Sequence, residues 1–311
     1  MPHGHKHGHH HHHVDPDAGD MRVALAVGVN LLLTVAQVVG GVLAGSLALI
    51  ADALHNFSDA ISLVIAFGAR KIARRPSDDT MTFGYGRVEV VAALINYTTL
   101  IVIGLYLVYE AAMRFFEPEE VAGWTVVIIA IIALVVDLIT AALTFALSKE
   151  SMNIRAAFLH NVADALGSVA VIVAGTLILL YDWRLIDPLA TLLIAGYILW
   201  QAFAEIGGVI RILMLGSPPD IRTDAVIDGM EAVEGVAGIH HAHFWQMNEH
   251  DNALDAHLVI ERGAWDHADD IKTRVKTMLR EDFGIGHSTL EMECSLHVCD
   301  GADRIGDGHA H

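Results

Sequence analysis

Two short strings in this sequence carry ionisable residues where hydrocarbon should be. Leu54-His55-Asn56-Phe57-Ser58-Asp59-Ala60 and Leu159-His160-Asn161-Val162-Ala163-Asp164-Ala165 share the pattern His-Asn-x-x-Asp-Ala, each inside a long apolar run. In each, His and Asp are four residues apart, which puts both side chains on one helix face, one turn apart. Ionisable groups in lipid are costly and mark functional positions by default. If the two helices pack together, two imidazole nitrogens and two carboxylate oxygens converge, a tetrahedral donor set suited to a borderline ion such as Zn²⁺. The alternative is that the four groups only satisfy one another as buried polar pairs. The duplication of the whole string argues against it.

Such ligands bind metal only when deprotonated, so protons and metal compete for them. A site of this kind, exposed alternately to the two sides of a membrane, would exchange protons for metal. Asp52, one turn before His55, and Asp137, midway along another apolar run, are accessory candidates for the metal or proton path. Asn30, Gln37 and Asn96 are expected to make interhelical hydrogen bonds. Asp187-Pro188 reads as a helix start, with the acid near the positive dipole end and Pro in the first turn.

The elements that must position these groups are six hydrophobic spans, approximately Arg22–Leu43, Leu47–Ile72, Val88–Arg114, Trp124–Leu147, Arg155–Leu180 and Ile186–Ile212, each near the ~20 residues a bilayer requires. The chain of 311 residues is 54% hydrophobic, above the usual soluble range, and its formal charge of -18 excludes a nucleic-acid binder. Arg70, Lys71, Arg74, Arg75 and Arg87 follow span two, Lys149 and Arg155 follow span four, and Arg211 ends span six. The connection Glu117-Pro118-Glu119-Glu120 has no positive charge. This asymmetry puts both termini in the cytoplasm. A plasma (inner) membrane, multi-pass, prokaryotic protein with no cleavable leader is expected, because the polar tail runs straight into a full-length span.

Beyond Ser217-Pro218-Pro219 the composition is that of a soluble domain. Thr223–Val233 and Asp266–Phe283 have helical spacing; Ile239–Met247, Ala253–Ile260 and Thr289–Leu296 read as strands. The expected division is a His-rich tail over 1–20, a six-helix all-α transmembrane domain over 21–213, a cytoplasmic α+β domain over 214–300 and a flexible tail over 301–311. Many of the twenty histidines lie between His3 and His13; a native metal-binding tail and a purification tag both account for the unbroken His9–His13. The two cysteines, Cys294 and Cys299, form no disulfide framework and read as reduced thiols.

These features resemble the cation diffusion facilitators, in the branch whose transport site has a His-Asp/His-Asp form associated with zinc. Phe83-Gly84-Tyr85-Gly86-Arg87-Val88-Glu89 is similar to the family signature at the start of span three. The resemblance implies a homodimeric, proton-coupled exporter with a metallochaperone-like (ferredoxin-like) cytoplasmic domain, and His55, Asp59, His160 and Asp164 as transport ligands. It further implies a regulatory zinc at His240, His257, His287 and Glu293. Cys294, His297 and Cys299, just beyond, make a soft-ligand cluster. His241 and His243 are expected to face the opposite surface at least in part. Some relatives hold metal in the loop before span three with an Asp and two His; here Asp78 is followed by Met81 and Tyr85 where histidines would stand, so that site is not expected.

Manganese is disfavoured by the two histidines, whereas cadmium, cobalt, nickel and iron remain alternatives to zinc. An intramembrane metalloprotease would need a His-Glu-x-x-His helix, and no His-Glu pair occurs. A passive channel and a non-transporting sensor are the remaining competitors, separable from a carrier by dependence on a proton gradient.

Overall fold

The computed structural model describes residues 16–147, 152–296, 298–299 and 303–306, with some helical side chains, His160 among them, outside the description. The His-rich stretch His3–His13, Lys149 and His297 also lie outside the described residues. Six long helices come first: α1 (Pro16–Ala44), α2 (Leu47–Ala73), α3 (Arg87–Phe116), α4 (Gly123–Leu147), α5 (Met152–Tyr181) and α6 (Ile186–Leu213). Among the described residues, α2 to α6 each contain a stretch long and apolar enough to cross a membrane, and α1 contributes the apolar Leu31–Ala44. Leu32, Val102, Ile132, Ile139, Leu180 and Leu193 point outward. Helices satisfy their own backbone groups, so such surfaces are stable in hydrocarbon.

The chain divides into two compact units, Met1–Val64 with Leu100–Trp200, and Ile65–Thr99 with Gln201–His311. In the first, α4 and α5 lie along one another and α1 packs on α4. Gly175 permits the close α4–α5 approach, since a Cβ there would press on Val126 and Val127. The α1–α2 junction turns at Gly45 in the left-handed region (φ 67°). Ser46 then caps α2, its Oγ accepting from the Leu49 amide at 3.1 Å.

In the second unit, Val90 near the start of α3 packs on Val209 and Ile212 of α6. The chain continues into α7 (Thr223–Glu231), β1 (Val236–Gln246), β2 (Asn252–Ile260), a single 3-10 turn (Trp265–His267), α8 (Ala268–Phe283) and β3 (His287–Cys294). The sheet order is β1-β2-β3, with β1–β2 antiparallel and β2–β3 parallel. The parallel pair requires a crossover, which α8 supplies. Val226, Ile227 and Met230 of α7, Ile271, Val275 and Leu279 of α8, and Leu254, Leu258 and Ile260 of β2 share one core.

Two features depart from the sequence expectation. Residues 303–306, expected within a flexible tail, lie along β1: the amides of His241 and Ala242 donate to the Asp303 and Arg304 carbonyls at 3.0 and 3.2 Å, and Arg304 pairs with Asp228 and Glu231 of α7. The edge amides of β1 find acceptors there that a free tail would not give them. The second is a bulge in β1 between His240 and His243, with His241 at φ 49°.

Candidate metal centre

In the membrane unit, α2 presents His55 and Asp59 and α5 presents Asp164 to one point. His55 Nε2 lies 3.3 Å from Asp164 Oδ1 and 3.7 Å from Asp59 Oδ2. These separations match the roughly 3.3 Å edge of a tetrahedron whose metal–ligand bonds are about 2.0 Å. His55 and Asp164 are buried and Asp59 is half-buried. The Tyr197 ring of α6 stands edge-on to His55, centroids 6.0 Å apart. His160 falls one turn before Asp164 on α5, its side chain outside the described residues.

A polar layer adjoins this point. Gln37 Nε2 of α1 donates to Asp52 Oδ2 at 2.6 Å, and Asn56 Nδ2 donates to Gln37 Oε1 at 3.3 Å. Asp137 of α4 accepts from Ser168 Oγ of α5 at 3.0 Å. Asp52 is buried and within electrostatic reach of His55, Asp137 and Asp164. Both accessory carboxylates therefore lie close to the ligand cluster, each held by a neutral hydrogen-bond donor.

Asp187 takes a part that its position at the start of α6 only half foretold. It accepts from Ser46 Oγ at 2.5 Å and from the Leu47 amide at 2.8 Å, and lies 3.5 Å from an Arg114 guanidinium nitrogen. The carboxylate thus sits at the N-terminus of α2 as well as its own helix, where the dipole favours negative charge.

A second cluster lies on the sheet of the C-terminal domain. His240 of β1 stands directly opposite His257 of β2, and His257 opposite Glu291 of β3. His240 Nε2 is 3.3 Å from Glu293 Oε2; His257 Nδ1 is 2.5 Å from Glu293 Oε1, and its Nε2 is 3.5 Å from Glu291 Oε2. Cys299 Sγ donates to Glu293 Oε1 at 3.5 Å. One ligand atom from each of His240, His241, His257 and Cys299 fits within 4.8 Å. Among the described residues, His240 Nε2 and Glu293 Oε2 are buried without a hydrogen-bond partner, an arrangement that fits a metal ion. Burial pushes the Glu293 carboxyl up, but the hydrogen bonds from His257 and Cys299 and the two imidazoles outweigh it and hold the group below the usual glutamate range. The hydrogen bond to Glu293 raises the Cys299 thiol.

Of the residues singled out in this domain, the fold brings together His240, His257, Glu293 and Cys299. His287 stands at the opposite end of β3, paired with Ala253, its ring edge-on to Phe83 at 5.8 Å. Cys294 closes β3 opposite Ile260 and is not part of the cluster. His241, expected at least in part on the other surface, joins the cluster because the bulge turns it there, its ring 4.9 Å from that of His257. Glu291 was missed, although its spacing of two from Glu293 puts both on one face of a strand.

The loop before α3 is organised around Asp78. Asp78 Oδ1 accepts from the Thr80 and Met81 amides at 2.8 and 2.9 Å, and its Oδ2 accepts from Tyr85 OH at 2.6 Å. Tyr85, standing where some relatives would have a histidine, thus holds the carboxylate by a hydrogen bond.

Long apolar helices, two of which bring a His/Asp cluster together, followed by a small α+β domain, define a membrane cation transporter. The model of the cation efflux transmembrane domain matches residues 23–214, and that of the cation efflux protein cytoplasmic domain matches residues 218–295. The chain belongs to the cation efflux (cation diffusion facilitator) family. It is 39% identical over 269 residues to the cadmium, cobalt and zinc/H(+)-K(+) antiporter of Bacillus subtilis, covering 86% of each chain. It is 35% identical to the zinc transporter ZitB of Pectobacterium atrosepticum, over 93% of this chain and 95% of that one. It is 32% identical to the metal cation efflux system protein CzcD of Cupriavidus metallidurans, over 93% and 90%.

Proposed function

We propose that this protein exports Zn²⁺ from the cytoplasm in exchange for protons, as a homodimer in the plasma (inner) membrane with both termini cytoplasmic. His55, Asp59, His160 and Asp164 hold the ion. The observation that carries this reading is the 3.3 Å approach of His55 to Asp164, from two different membrane helices. Metal binding from the cytoplasm displaces protons from these ligands, and protons arriving from outside displace the metal. Asp52 and Asp137, buried beside the cluster, serve the proton path. The antiporter and zinc-transporter names of relatives support the exchange and the ion; cadmium and cobalt, in one relative's name, are the second reading. The basic loops and the cytoplasmic-domain match support the orientation.

His240, His257, Glu293 and Cys299, with His241 and Glu291, form the regulatory metal site. Bound metal would neutralise their acidic charge and favour pairing of the cytoplasmic domains. The deciding experiment is zinc flux into proteoliposomes holding a pH-sensitive dye. Zinc and protons should move in opposite directions, and Asp59→Ala should abolish both. Flux that ignores the pH gradient would make the protein a channel.

A further inference from the structure

Several described cations are paired with acids: Arg114 with Glu119 and Asp187, Arg184 with Asp182 and Glu120, Arg304 with Asp228 and Glu231, Lys272 with Asp269. Arg70 and Arg74, like Lys71, Arg75, Arg262, Lys276 and Arg280, have no acid partner among the described residues. Arg70 and Arg74 lie one turn apart at the end of α2, exposed, and among the described residues their guanidinium groups have neither an ion-pair nor a hydrogen-bond partner. In a chain with 37 acidic and only 19 basic residues, these two guanidiniums, one turn apart and unengaged by the chain's own acids, are available to an anion from elsewhere.

Both line a recess of about 330 Å³ together with Glu89, Asn248 and His250. Asn248 is committed to its own turn, bonding Asp251 and the His250 amide. Glu89 brings a carboxylate to the same recess, within 4.8 Å of ligand atoms on Glu249 and His250, yet it pairs with neither arginine. A divalent cation at that acidic cluster would face two guanidiniums. A purely anionic ligand would face Glu89 and Glu249. A ligand carrying one charge of each sign meets neither penalty.

We propose that this recess seats a phosphatidylethanolamine headgroup, its phosphate between Arg70 and Arg74 and its ammonium at Glu89. Arg70 and Arg74 follow directly on the apolar length of α2, where headgroup phosphates lie and basic residues attract them. The orientation rests on the transport reading above. The bound lipid fills the gap between the helix end and the Asn248 turn, so lipid composition reaches the cytoplasmic domain through this contact.

The test is native mass spectrometry of the full-length protein in a neutral detergent, with phosphatidylethanolamine, phosphatidylglycerol or phosphatidylcholine added in equal amounts. The wild type should retain phosphatidylethanolamine over both others, because phosphatidylcholine has no ammonium hydrogen to donate. Arg70→Gln with Arg74→Gln should lower that retention roughly tenfold, the scale of a lost charged hydrogen bond. Glu89→Gln should erase the preference over phosphatidylglycerol. Equal retention of the three lipids, or unchanged retention in the double variant, overturns the proposal. Zinc binding by each variant reports its folding, and Glu89→Gln alone carries the test if the double variant misfolds. Asp59→Ala should leave lipid retention as in the wild type, which separates this proposal from the transport site.

Discussion

His55 Nε2 stands 3.3 Å from Asp164 Oδ1, joining α2 to α5 at a point buried within the membrane unit. That spacing is the one a shared small cation would impose, and the carboxylate supplies the negative charge that makes a dication tolerable there. Asp164→Asn keeps the size of the side chain and removes the charge. In a His257→Ala background, which weakens the cytoplasmic cluster, titration calorimetry should show zinc affinity lowered by more than roughly tenfold, on the scale of a lost charged contact. Affinity equal to that of Asp164 would remove this residue from the ligand set.

The cytoplasmic cluster mixes imidazole, carboxylate and thiol, and the thiol gives it a spectroscopic signature. With the membrane site disabled by Asp59→Ala, Co²⁺ should produce a near-ultraviolet thiolate-to-metal band along with its visible tetrahedral bands. Cys299→Ser should remove the first and leave the second, weakened. Cys294→Ser should change neither, since Cys294 sits beyond the cluster at the end of β3. Loss of the band in Cys294→Ser alone would exchange the two assignments.

The membrane site was legible because its signal was local and duplicated: i, i+4 spacing puts His55 and Asp59 on one face whatever the rest of the fold does. Helix ends were legible from Arg87, Pro188 and the charged loops to within a few residues. The cytoplasmic cluster was only half legible, because strand alternation cannot foretell a bulge. The bulge at His241 moves that ring toward His257, whereas His287, at the correct strand, lies at the wrong end of it. Asp187 was read as part of its own helix, but its partners Ser46 and Leu47 belong to α2, a tertiary relation with no sequence signature.

Asp78 offers a pH-dependent test of the loop before α3. The Tyr85 hydroxyl, then Thr80 and the Thr80 and Met81 amides, bond to the ionised carboxyl and hold it well below its ordinary value of 3.8. A lowered folded-state value means that the carboxylate stabilises the turn at all pH above the ordinary range and loses that effect as pH falls through the lowered value. The group is exposed, so the effect is confined to the loop. Tyr85→Phe removes the largest contribution and should raise the Asp78 titration midpoint seen by NMR toward 3.8. An unchanged midpoint would mean the hydroxyl does not reach the carboxylate.

Asp187 should be the costliest single loss outside the metal sites. Its carboxylate is almost fully buried, caps the start of α2 through Ser46 Oγ and the Leu47 amide, and faces Arg114. Asp187→Ala leaves that guanidinium without its buried counter-charge and the α2 amides without an acceptor. Breaking one side of a buried pair costs about 3–5 kcal/mol. Thermal unfolding in detergent should therefore show a clearly lower midpoint for Asp187→Ala. Asp187→Asn retains an acceptor for Ser46 and Leu47 but no charge for Arg114, so its midpoint should fall between the two. If Asp187→Asn is as damaging as Asp187→Ala, the ion pair dominates. If it matches the wild type, the helix cap does.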